Sequence, residues 1–312
     1  MDIKKAQKYC HELLEYDERH VEKAITLFEK IEVIYKNSPR EEIAEMMAKS
    51  LFNITYYSLY VKNEKIAFTF LEALDKMAKE YPNNQVIVWN LSYSYANFIR
   101  NVSEEDISKA LNLFDRLSSW YIAYPKNADI ADRLGDACYN LMIDIKDSNR
   151  EKMYTLLSQL KELQANYGDN EDLVKHFMFA SLNYIYFFRD DMESSLEVFY
   201  YMKEVSDKHI EDDALVFESV KSATFLADYL RDTNMPLALE LFEIIHTYAH
   251  KHDDDADIAY YLLLNAYNLI VELKDKDMDK CRDLYDVMLS FEDVCGDKVE
   301  SMLDAVSIVV GN

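Results

Sequence analysis

The sequence predicts an all-α, right-handed solenoid of about seven helix–turn–helix hairpins, closed by a C-terminal capping helix. Three observations carry this. Only four glycines and four prolines occur among 312 residues, too few for a sandwich or barrel, which needs a turn about every ten positions. Half of the residues are hydrophobic, enough to build a core. Finally, one amphipathic helical pattern recurs along the chain.

The pattern is anchored on Ala24, Ala67, Ala110, Met153, Ser195, Ala238 and Cys281, all small except Met153. Successive anchors stand 43 residues apart, with a single step of 42. Four positions later come Phe28, Leu71, Phe114, Leu157, Phe199, Phe242 and Tyr285. The series continues at the seventh position (Ile31, Leu74, Leu117, Leu160, Met202, Ile245, Met288) and the tenth (Ile34, Met77, Trp120, Leu163, Val205, Tyr248, Phe291). Such offsets lie along one side of a helix.

Breakers keep the same phase. Pro39, Pro82, Pro125 and Gly168 follow the first four anchors by fifteen residues, with Asn or Asp beside them to cap the next helix. Polar runs, Asp207 to Asp213 and His252 to Asp257, replace them later. Each joint precedes a second helical pattern, as at 128–145 and 171–188. A short helix near 3–15 opens the array, and an apolar helix over 298–310 closes it. One domain spans 1–312, with joints near 38, 82, 125, 168, 210, 254 and 296. Hairpins of this kind cannot bury their faces alone and therefore stack.

Lys and Arg number 34 against 58 Asp and Glu, a formal charge of −24. Such a surface repels phosphate backbones and anionic membranes, so neither nucleic acid nor membrane is an expected partner. It attracts basic proteins or peptides, and it also keeps a large helical surface soluble. Cys10, Cys138, Cys281 and Cys295 share no metal or redox spacing and read as small buried residues in a reducing compartment. No apolar run is long enough for a membrane span, and the charged opening residues do not form a secretion signal, so the cytoplasm is expected.

The stretch Tyr124-Pro125-Lys126-Asn127…Leu134-Gly135-Asp136-Ala137-Cys138-Tyr139-Asn140, with the Ala110 and Phe114 positions of each hairpin, resembles the tetratricopeptide repeat. Three departures accompany it. The period is 43 rather than 34; Gly135 is the one glycine at its position, against Ala48, Ser92 and Met178; and an Ile/Leu/Met series replaces the family's second small residue. The resemblance implies that first helices line a concave groove. Its groove positions would be Trp89 and Tyr93, Asp132 and Asp136, then Lys175 and Phe179. This is not the Lys/Asn/Arg set with which such domains clamp a C-terminal carboxylate.

First helices also carry Asn53, Asn97, Asn140, Asn183 and Asn268, a series broken near Leu226. Asparagine is a poor interior helix former. Its recurrence fits either an amide ladder gripping an extended peptide or a set of bridges fixing hairpin stacking. Aromatics on these helices include Tyr93, Tyr95, Tyr184, Tyr186, Tyr260 and Tyr261, most of them expected in packing.

His246 and His250 are one helical turn apart, but the run His-Thr-Tyr-Ala-His lacks a general base. These histidines suit a helix C-terminus, and Asp253 to Asp257 suits the cap of the next helix. No nucleophile, metal set or cofactor motif emerges. The expected function is a non-enzymatic scaffold that binds a protein or peptide, a basic one first, on the concave face. One alternative is a peptide-sensing regulatory domain acting on an effector. The other is an all-helical metal-dependent enzyme using residues 246–257.

Overall fold

A computed structural model describes residues 2–146, 148–168 and 170–311. Among the described residues there are sixteen α-helices and no strand. In chain order they are α1 (Asp2–Leu14), α2 (Val21–Asn37), α3 (Glu41–Tyr60), α4 (Glu64–Glu80), α5 (Gln85–Val102), α6 (Ile107–Ala123), α7 (Ala128–Ile145) and α8 (Arg150–Asn166). Then follow α9 (Glu171–Phe188), α10 (Met192–Lys208), α11 (Asp213–Leu230), α12 (Met235–Lys251), α13 (Ala256–Leu273), α14 (Met278–Ser290), the short α15 (Glu292–Cys295) and α16 (Glu300–Val310). The anchors lie on α2, α4, α6, α8, α10, α12 and α14, so these are the second helices of the hairpins. The expected spans 128–145 and 171–188 coincide with α7 and α9. The closing helix starts two residues late, because Gly296 (φ 56°) opens a 3₁₀ turn over Gly296–Lys298.

Contacts gather the chain into two compact units, Met1–Ile145 with Gln159–Leu173, and Lys146–Ser158 with Val174–Asn312. In the first, each helix packs on the next from α1 to α7, and first helices also pack on one another: α1 on α3, α3 on α5, α5 on α7. Second helices α2, α4 and α6 hold their backbones further apart. Long side chains bridge them: Lys109 to Glu64, Arg116 to Glu72, Trp120 Nε1 to Asp75 at 3.0 Å, and Tyr35 Oη to Tyr81 Oη at 2.7 Å. This unit is therefore a wedge with the first helices on its narrow side. In the second unit α10 to α14 repeat the consecutive packing, α11 packs on α13, and α16 closes the end against α13 and α14.

The predicted register holds throughout. All seven anchors are 0 % exposed, and so is every residue seven positions after them. At the tenth position Trp120, Tyr248 and Phe291 meet the preceding second helix, and of the series only Ile34, on the first of the second helices, is half-buried. Burying one such Leu, Ile or Phe side chain stabilises by about 1.5–3 kcal/mol. The Ala and Ser anchors let paired helices close.

Capping sets the joints. An Asn or Asp accepts a backbone N–H of the following first turn at Asn63, Asn84, Asp106, Asn127, Asn149 and Asn170. Asp191, Asp212, Asn234, Asp255 and Asp277 continue the series. These caps recur every 21 or 22 residues, half of the repeat. At Gly135 a Cβ would stand 2.2 Å from Leu173 Cδ2, so glycine admits that side chain against α7. The four cysteines are buried and form no disulfide.

Candidate binding surface

The first-helix face of the first unit concentrates exposed aromatic surface. Phe52 and Tyr56 lie one turn apart on α3, with ring centroids at 6.4 Å. Trp89 and Tyr93 lie one turn apart on α5, at 4.3 Å. Because α3 and α5 pack side by side, Phe52 meets both Trp89 (6.0 Å) and Tyr93 (6.2 Å). Trp89 is 37 % exposed and Tyr56 45 %. A groove of about 550 Å³ opens beside them, lined by Leu14, Lys49, Phe52, Asn53, Gln85, Val86, Trp89, Asn90 and Asp129. That volume falls in the range of ligand-sized clefts, about 300–1,000 Å³.

The next first helix, α7, adds a charged row. Asp132 and Asp136, one turn apart on α7, both contact Arg133, whose guanidinium lies 3.9 Å from the Tyr93 ring centroid. Arg100 of α5 also donates to Asp136, at 2.9 and 3.2 Å. Trp89, Tyr93, Asp132 and Asp136, expected to share one face, are thus drawn together, with Phe52, Tyr56, Arg100 and Arg133 as members the sequence did not single out. A signal for two of these existed: Phe52 and Tyr56 flank Asn53 at helical spacing.

The asparagines do not bond to one another. Asn53 Nδ2 donates to its own helix at Lys49 O (2.8 Å). Asn140 Nδ2 donates to Asp136 O (2.7 Å) and to Asp136 Oδ1 (3.0 Å), helping orient the carboxylate that holds Arg100. Asn97 accepts from Asn101 only through its backbone carbonyl. In the second unit Asn268 of α13 donates to Asp228 of α11 at 3.2 Å, which is the bridging geometry. Lys175, Phe179 and Asn183 sit half-buried on α9. There too the first helices present aromatics: Tyr186 meets Phe225 edge to face at 5.4 Å, and Lys221 lies over Phe217 at 4.6 Å. Tyr95 and Tyr184 are core residues.

The second-helix side of the first unit carries a different constellation. Asp75, 3 % exposed, accepts from Tyr95 Oη (2.9 Å), Trp120 Nε1 (3.0 Å) and Lys79 Nζ (2.5 Å), with Arg116 at 3.4 Å. Burial would raise this carboxyl, but those bonds hold it below the usual carboxylate range. The second unit repeats the device with the charges exchanged: Tyr248 Oη donates to Asp207 at 3.0 Å, and Lys203 pairs with Asp207 at 2.6 Å. The aspartate precedes the lysine by four residues in one case and follows it by four in the other.

The His246 and His250 rings adjoin at 4.4 Å between centroids, tilted by 47°, near Phe291, whereas His252 Nδ1 turns to Asp213 at 2.7 Å. Asp255 caps α13. Among the described residues no group of three His, Cys, Asp or Glu side chains could hold a metal ion. No helix of the described residues is long and apolar enough to cross a membrane. Compared with known proteins, the chain matches no protein-family model, and no curated protein matches it in sequence.

Proposed function

We propose that the chain is a non-enzymatic scaffold that binds a protein or peptide on the first-helix face, with basic partners preferred. The carrying observation is the Phe52–Tyr56–Trp89–Tyr93 cluster beside its groove. Aromatic side chains with accessible faces supply contact area at low entropic cost, which is why they anchor recognition surfaces. The net charge of −24 favours encounter with basic partners. Assignment of the hairpins to a long-period relative of the tetratricopeptide repeat belongs to the same proposal, supported by the anchor series, Gly135 and the joint prolines. So does a cytoplasmic location, supported by four buried cysteines without a disulfide.

The test is differential capture from a native lysate. Trp89→Ala/Tyr93→Ala should lose proteins that the wild type retains. Ile122→Ser, altering a residue 75 % exposed on α6, should retain them. Identical capture by all three proteins would refute the assignment of this face.

A further inference from the structure

We infer that the Trp89 side of the groove takes the guanidinium of an arginine from an extended basic segment of the partner. This rests on the scaffold reading and narrows it to one chemistry. The chain itself supplies the precedent, since Arg133 lies over Tyr93 at 3.9 Å and the Trp89 ring adjoins Tyr93 at 4.3 Å. Tryptophan is the strongest aromatic acceptor for a cation. Yet no cation among the described residues covers Trp89, which remains 37 % exposed. Arginine suits the place better than lysine, because a planar guanidinium stacks on an indole while keeping its edge donors for a carboxylate. Exposed Asp129 lines the same groove and provides that carboxylate. Gln85 and Asn53 add amides at the wall for the peptide backbone. Lys49, also in the lining, is the opposing charge and reads out the sign of the occupant.

The experiment measures anisotropy of fluorescein-labelled nonamers of arginine, lysine and glutamate against the full chain, at physiological salt so that diffuse attraction is screened. The arginine nonamer should bind about fivefold more tightly than the lysine nonamer. Trp89→Ala and Asp129→Asn should each remove most of that preference, and Lys49→Met should tighten arginine binding. Unaltered circular dichroism and melting temperature show that these surface variants fold. Equal binding of arginine and lysine, a preference that survives Trp89→Ala, weaker arginine binding by Lys49→Met, or binding of the glutamate nonamer would each overturn the inference. If lysate proteins still depend on Trp89 and Tyr93 in that event, the scaffold reading stands without it; if they do not, both fall.

Discussion

Replacing Asp75 by alanine should destabilise the first unit by about 2–5 kcal/mol. The magnitude follows from what the carboxylate holds. Tyr95 is 0 % exposed and Trp120 9 %, so without Asp75 the hydroxyl and the indole N–H lose their acceptor inside the protein. Each buried donor left unpaired costs about 1–3 kcal/mol. Lys79, whose side chain is largely exposed, rehydrates at little cost. Asparagine keeps a carbonyl oxygen for Tyr95 and Trp120 but turns an amide toward Lys79 or Arg116, so Asp75→Asn should cost less, about 1–2 kcal/mol. The assay is urea denaturation followed by tryptophan fluorescence, taking the transition in which the buried Trp120 becomes exposed. The pH dependence carries a sign. The folded carboxyl titrates below its unfolded counterpart. Its contribution is therefore complete above the unfolded value, about 4, and is lost as pH falls through the lower folded value. The gap between wild type and alanine variant should be flat from about pH 5 to 8 and shrink below about pH 4. A cost under about 1 kcal/mol at pH 7, or a gap that widens in acid, would refute the reasoning.

Three further outcomes follow from the packing. Ala110→Leu, at an anchor with no exposed surface, should cost about 1–3 kcal/mol by overpacking α6, checked by the denaturation midpoint. Asn127→Ala removes the acceptor for Ile130 N at the start of α7 and should cost about 1 kcal/mol, whereas Asn101→Ala, which removes an exposed back-bond, should cost much less. Burial pushes the Cys10, Cys281 and Cys295 thiols above their usual range, so alkylation by iodoacetamide should be slow in the native protein and become complete only in denaturant, as mass spectrometry would show.

The hairpins were legible because each unit solves the same burial problem with the same side-chain positions. Ala110, Phe114, Leu117 and Trp120 predicted one face of α6, and all four are buried. Five of the eleven caps were legible: Asn84, Asn127 and Asn170 beside Pro82, Pro125 and Gly168, and Asp212 and Asp255 in the polar runs. Asn63, Asp106 and Asp191 were not, because their turns contain no proline or glycine. The cap spacing of 21 or 22 residues supplies the missing signal. The aromatic face of the first helices was legible in outline. Trp89 and Asp136 were placed by the resemblance, as groove positions, but whether α3 would bring Phe52 onto Trp89 depends on how neighbouring first helices pack. Arg133 could not be assigned from spacing, since its position next to Asp132 does not reveal that its guanidinium turns back onto Tyr93. Asp75 was hidden for a related reason. Its partners Tyr95 and Trp120 are 20 and 45 residues away, and a lone aspartate in a second helix resembles any solvated acid until the next hairpin covers it.

Amide hydrogen–deuterium exchange resolved to single residues tests the central claim of stacked, in-phase hairpins most directly. Fast exchange should concentrate at the joints, around 38–40, 81–84, 124–127, 209–212 and 252–255, and at the turns halfway between them. The slowest amides should lie at the anchors and at the positions four and seven residues later. Protection that ignores this phase, or a helix-length stretch without protection between Glu41 and Ile145, would contradict the account.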